Sequence, residues 1–203
     1  MVRSMTVGKF LASGVFVALV AGCFEEPQSA AKTVPPEARI YLSEKGLKDL
    51  HSTTFASAAI MDYLNLDRNQ LTNVNEVATL KGLKWLRLNY NRLEALPNLS
   101  ELKDLRRIYL KGNHFSVVPE GLKDLPSLTD VDLSLNPIKE VPEWLAKKEG
   151  LENLSFTRTQ ITSLPSDLTA WKSLRSLQLG DLRLSAAEMA RIRAALPNTA
   201  IVF

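Results

Sequence analysis

Residues 82–96 read GLKWLRLNYNRLEAL. Around Leu86 and Leu88 apolar and polar residues alternate, and successive side chains of a strand point to opposite faces. The leucines therefore share one side. Trp85, Arg87 and Tyr90 share the other. The stretch predicts a short strand with an aliphatic inner face and an outer face rich in aromatic and cationic groups.

Working outward, the frame LxxLxLxxNxL recurs. Copies begin at Glu37, Met61, Leu83, Leu105, Leu128, Leu151, Leu174 and Asn198, at intervals of 22 to 24 residues. An internal period of this length marks a repeat architecture. The middle copies read LKWLRLNYNRL, LRRIYLKGNHF and LTDVDLSLNPI. Positions 1, 4, 6 and 11 are apolar, so they stack into one continuous core. Position 9 is Asn69, Asn91, Asn113 and Asn136. A buried Asn there satisfies backbone groups of its own turn and of neighbouring turns. At the ends that position becomes Lys45, Thr159 and Leu182; Thr159 is expected to supply part of the Asn function, the other two none.

Position 14 is aliphatic and is followed by Pro97, Pro119, Pro142 and Pro165 in four copies. Proline fixes the backbone where the outer segment starts. That segment then offers Leu122 and Leu125, or Leu168 and Trp171, to the core, whereas Lys148 interrupts the pattern and predicts a looser outer wall. No single copy buries enough apolar surface to fold alone, so stacking and terminal covers are needed. For the C-terminal cover, Ser185 and Glu188 have capping-box spacing. Met189, Ile192 and Leu196 form a helical stripe, and Ile201 and Phe203 supply a last short strand. Residues 48–61 lose the frame and are expected to form a helical insertion or a distorted outer segment.

These repeats resemble the leucine-rich repeat family over residues 37–203. The resemblance implies an α/β repeat fold: a curved solenoid of about 7 repeats plus a C-terminal helix-strand cap. A parallel sheet lines its concave side, and short helical or irregular segments form the convex side. The spacing is similar to that of internalin-type surface binders.

The N-terminal residues carry a different signal. MVRSMTVGKFLASGVFVALVAGC begins with Arg3 and Lys9, then runs apolar from Phe10 to Ala21. That stretch is too short for a bilayer-spanning helix, which needs about 20 residues, and fits a removable export signal. Val20-Ala21-Gly22-Cys23 resembles the bacterial lipobox, which implies cleavage before Cys23 and lipid attachment to its thiol; several acyl chains give stable anchoring. The expected organisation is a lipoprotein signal peptide over residues 1–22, a flexible linker over 23–36 and the repeat domain over 37–203. Phe24 stands where inner-membrane lipoproteins often carry Asp, which favours an outer-membrane or surface location in the bacterial envelope.

In this frame the outward positions 3, 5, 7 and 8 gather Tyr41, Tyr63, Trp85, Arg87, Asn89, Tyr90, Arg107, Tyr109, Lys111, Asp130 and Asp132. All four tyrosines of the chain are among them. Aromatics and arginines occupy the N-terminal half of the face and small polar residues the C-terminal half. Tyr, Trp and Arg are enriched at binding hot spots, although aromatic strand propensity also favours them on an idle sheet. Arg107 and Asp130 share a row on adjacent strands and are expected to pair. The other charges fit either a solvated ion-pair lattice or a charged ligand site.

Several classes are disfavoured. The formal net charge is +3, and residues 23–203 hold 23 basic and 22 acidic groups, so no nucleic-acid footprint exists. One cysteine allows no internal disulfide and no multi-cysteine zinc site. His51 and His114 are the two histidines and share no frame with a nucleophile. The expectation is a non-enzymatic, cofactor-free membrane-anchored protein that binds a protein or peptide; the alternative is an envelope scaffold or a glycan-binding surface lipoprotein.

Overall fold

The structure, a computed structural model, describes residues 38–50 and 61–203. The signal-peptide and linker readings, Cys23, most of the irregular 48–61 segment and His51 lie outside the described residues.

The described residues contain eight strands: β1 (Ala38–Tyr41), β2 (Met61–Asn65), β3 (Trp85–Arg87), β4 (Arg107–Tyr109), β5 (Asp130–Asp132), β6 (Asn153–Ser155), β7 (Ser176–Gln178) and β8 (Ala200–Val202). They form one open parallel sheet in chain order. From β2 on, each strand lies beside the next repeat's strand in identical frame register, as in Tyr63↔Trp85↔Arg107↔Asp130 and Asn65↔Arg87↔Tyr109↔Asp132; β1 joins the same register from Arg39, after a shift at Ala38. The register is fixed by sequence, because a one-residue slip would turn a core leucine outward. Leu64, Leu86, Ile108, Val131, Leu154 and Leu177 form one buried row, and Phe115 and Phe156 fill the core behind the sheet.

The outer segments are short. They comprise 3₁₀ turns at Asn75–Thr79, Glu120–Leu122 and Thr169–Ser173 and the one-turn helix α1 (Glu143–Ala146). Pro119 and Pro142 stand in extended conformation immediately before two of them. Trp171 is fully buried, and its indole N–H donates to the Leu145 carbonyl at 2.9 Å, tying two outer segments together. Lys148 does not loosen the wall as expected. Its half-buried ammonium donates to the carbonyls of Lys123 (3.0 Å) and Leu125 (2.8 Å), so a polar tie replaces the missing aliphatic. Burial pushes the Lys148 amine below its ordinary range.

The asparagine row forms a ladder. Each Asn Nδ2 bridges a carbonyl of its own turn and one of the preceding turn, as in Asn113 to Leu110 (2.9 Å) and Leu88 (3.0 Å). Its Oδ1 accepts a backbone amide of the preceding repeat, Leu93 N in this case at 3.1 Å. Thr159 does not continue the ladder. It is buried, and its hydroxyl has no hydrogen-bond partner.

The C-terminal cover is helix α2 (Ala186–Ala195) followed by β8. Ile192 and Leu196 are buried and Met189 packs against the core. Half of the capping box forms: Ser185 Oγ accepts the Glu188 amide at 3.1 Å. The Glu188 carboxylate does not return to Ser185. It accepts from the Leu164 amide at 2.8 Å and from Arg191, welding the cover to the last full repeat.

Candidate functional site: the concave face

The strands hold positions 3 and 5 on one surface at a spacing of about 4.8 Å per strand. Four rings on β1 to β4 meet there in sequence. Tyr41 and Tyr63 lie 5.2 Å apart between centroids, Tyr63 and Trp85 5.1 Å apart in an edge-to-face arrangement, and Trp85 and Tyr109 6.1 Å apart. Pairs in this range contribute about 0.5–1.5 kcal/mol beyond area burial. Tyr41, 58% exposed, is the open end of the arc; the other three rings are half-buried. Burial raises the phenol pKa of Tyr63 and of Tyr109, so both stay neutral hydrogen-bonding groups at physiological pH.

The arginines are pinned. Arg107 lies 4.9 Å from the Trp85 ring centroid and 3.7 Å from Asp130, its expected row partner. Arg87 lies 5.6 Å from the Tyr109 ring centroid. Its carboxylate partner is Asp67, at 2.6 Å from Nη2 and 2.7 Å from Nε. Burial acts against the Arg87 charge, but the Asp67 hydrogen bond and charge outweigh it and raise its pKa. Asp67 sits at position 7 of the preceding frame, so the pair runs diagonally, and a reading confined to rows misses it.

Position 7 differs from its expected role as a binding surface. Asp67, Asn89 and Ser134 are buried. Asp67 Oδ1 accepts the Asn89 amide at 2.8 Å, and Asn89 Oδ1 accepts the Lys111 amide at 2.9 Å. Asn89 is therefore a backbone brace at the strand exits, its Oδ1 occupied by the fold.

Tyr90 also stands apart from the arc. It belongs to position 8, where every frame from Glu44 to Asp181 has positive φ: Glu44, Arg68, Tyr90, Gly112, Leu135, Arg158 and Asp181. The chain turns sharply there to leave the sheet. The Tyr90 ring lies flat on Gly112, where an added Cβ would stand 2.6 Å from a ring carbon. Arg68 and Lys111 approach the same ring at 5.5 and 6.0 Å. This group forms a separate edge beside the face.

Beyond Tyr109 the surface changes character. Asp130, Asp132, Asn153, Ser155 and Gln178 surround a shallow hollow of about 260 Å³ with Tyr109 as one wall. Asn153, Ser155 and Gln178 are among the small polar residues expected on the C-terminal half of the face, but the sequence does not single them out for binding, because small polar residues on a strand carry no signal of their own. His114 is exposed. Among the described residues no cluster of His, Cys, Asp and Glu could hold a metal ion.

Stacked repeats in identical register, a buried asparagine ladder and a ring-lined open sheet define a leucine-rich repeat protein. The comparisons agree: the leucine-rich repeat family profile matches residues 38–93 and 81–138. Human lumican is 34% identical over 144 residues, covering 66% of this chain and 40% of lumican. Human podocan-like protein 1 is 26% identical over 76% of this chain and 31% of its own length. The chain thus spans well under half the length of these curated relatives. An internalin from Listeria monocytogenes shares the fold, with TM-score 0.57 and 21% identity over 78% of this chain and 54% of the internalin. Proteins of this family generally mediate protein–protein interaction.

Proposed function

We propose that this chain is a lipid-anchored, non-enzymatic binding protein of a bacterial envelope, and that its concave face recognises a protein segment. The observation that carries the reading is the continuous arc Tyr41–Tyr63–Trp85–Tyr109, flanked by two arginines already held in place. Rigid aromatic groups and pre-oriented arginines lose little entropy on binding, so such a surface converts contact into affinity efficiently. The indole N–H of Trp85 is buried with no acceptor. Such a group costs free energy, and the face retains it. The Val20-Ala21-Gly22-Cys23 sequence supports the anchor; lipid on Cys23 would hold the repeat domain near a membrane, with outer-membrane or surface placement favoured by Phe24.

The test is crosslinking in intact bacterial cells from a photoreactive residue at Tyr109. A discrete protein adduct is expected, lost when Trp85, Arg87 and Tyr41 are changed together to Ala. In the same cells Cys23→Ser should move the protein from the membrane to the soluble fraction. An adduct indifferent to the triple change would mean that the arc does not recognise it. Adducts only between copies of the chain would favour the scaffold reading.

A further inference from the structure

We infer that the hollow beside Tyr109 receives a lysine or arginine side chain of the partner. This rests on the protein-binding reading above and adds the chemistry of what is recognised. The arc supplies apolar contact, and the two arginines flanking it, Arg87 and Arg107, are each engaged by a carboxylate of the same sheet. The hollow differs. Asp130 is already paired with a cation: Oδ2 faces Arg107 and accepts from Thr129 at 2.6 Å, and Oδ1 accepts from Asn153 at 2.8 Å. Asp132 is not. Its Oδ1 accepts the Ser134 amide at 2.9 Å and the Ser134 hydroxyl, both neutral donors. Among the described residues no cation pairs with Asp132, although it stands half-buried on the wall of the hollow.

The rest of the lining suits a cation. Ser155 and Gln178 are neutral groups able to accept hydrogen bonds, and Tyr109 presents an aromatic ring. A desolvated ammonium or guanidinium gains from both an aromatic ring and a carboxylate. A carboxylate or phosphate would meet Asp130 and Asp132 and be repelled. Tyr109 belongs to both the arc and the hollow, so a bound segment crosses them without a break. From the strand of Trp85 to that of Asp132 is two strand spacings, about 10 Å. An extended chain covers this in about three residues at roughly 3.3 Å each. The recognised segment therefore carries its basic residue two to four positions from an aromatic or large aliphatic residue.

The test is selection of a random-peptide display library on the full chain. Retained peptides are synthesised and their affinities measured against wild type, Asp132→Asn and the double variant Trp85→Ala/Tyr109→Ala. Asn keeps an oxygen for the Ser134 amide and removes only the charge. Retained peptides are expected to share the basic-plus-apolar spacing and to weaken about tenfold on Asp132→Asn. Replacing their Lys or Arg by Gln should cost a similar factor on wild type and little on Asp132→Asn, and this arm holds even if the variant protein is less stable. Peptides that need Trp85 and Tyr109 yet ignore Asp132 and their own basic residue overturn the inference and leave the protein-binding face standing. If no peptide is retained on wild type over the double variant, both fall.

Discussion

Asn113 spends one carboxamide on three backbone groups: the carbonyls of Leu88 and Leu110 and the amide of Leu93. Because it is buried, truncation leaves these groups unpaired where water does not easily reach. Asn113→Ala is therefore expected to cost about 2–4 kcal/mol, given roughly 1–3 kcal/mol for each orphaned group less what relaxation recovers. Urea denaturation checks it; a loss below about 0.5 kcal/mol would mean that water or a shifted turn replaces the carboxamide. The Asn row was legible in the sequence because an amide at a fixed step among leucines has few other uses. Position 8 was not. Its seven residues share a left-handed backbone, yet only Gly112 advertises it, since the exit from the sheet imposes the conformation on Glu44, Arg68, Tyr90, Leu135, Arg158 and Asp181 alike. The partner of Arg87 was not legible for a related reason: long side chains reach diagonally, and Asp67 lies off its row.

Among elements, the strands were legible and the outer segments only partly so. A strand of three residues follows from one inward aliphatic flanked by two outward residues in a fixed frame, as in Trp85–Arg87. Whether an outer segment closes as a 3₁₀ turn, as in Thr169–Ser173, or as one α-turn, as in Glu143–Ala146, depends on packing against its neighbours. Helix α2 gives the sharpest prediction at this scale. Hydrogen bonds from Arg191 hold the Glu188 carboxyl below its ordinary pKa, with the Leu164 amide adding to the effect and burial opposing it. A carboxyl whose folded pKa is depressed contributes stability above its unfolded value, about 4.3, that is lost as pH falls through the folded value. The wild type should therefore lose stability more steeply than Glu188→Gln below about pH 4.3, the two curves approaching each other at the acid end. Thermal unfolding at a series of pH values measures this; parallel curves would show that the contacts of Glu188 with Leu164 and Arg191 do not form in solution.

At the scale of the molecule, the sheet is a row in which each strand pairs only with its sequence neighbours. Stability in such a row is close to a sum of repeat terms and nearest-neighbour interfaces, so damage at one end should spread poorly. Ile192 is fully buried under the C-terminal cover, on the helix that Glu188 ties to Leu164. Ile192→Asp would place an unpaired carboxylate there, a change costly enough to detach the cover. The expected result is loss of amide-exchange protection in β7, β8 and the Thr169–Ser173 turn, with protection kept in β2 to β4. The ring arc lies on β1 to β4, so the proposed recognition by its aromatics should survive while the last repeats open. Hydrogen exchange read by mass spectrometry separates the cases. A uniform loss of protection along the chain would mean that the solenoid unfolds as a single cooperative body, and that the cover at one end stabilises the face at the other.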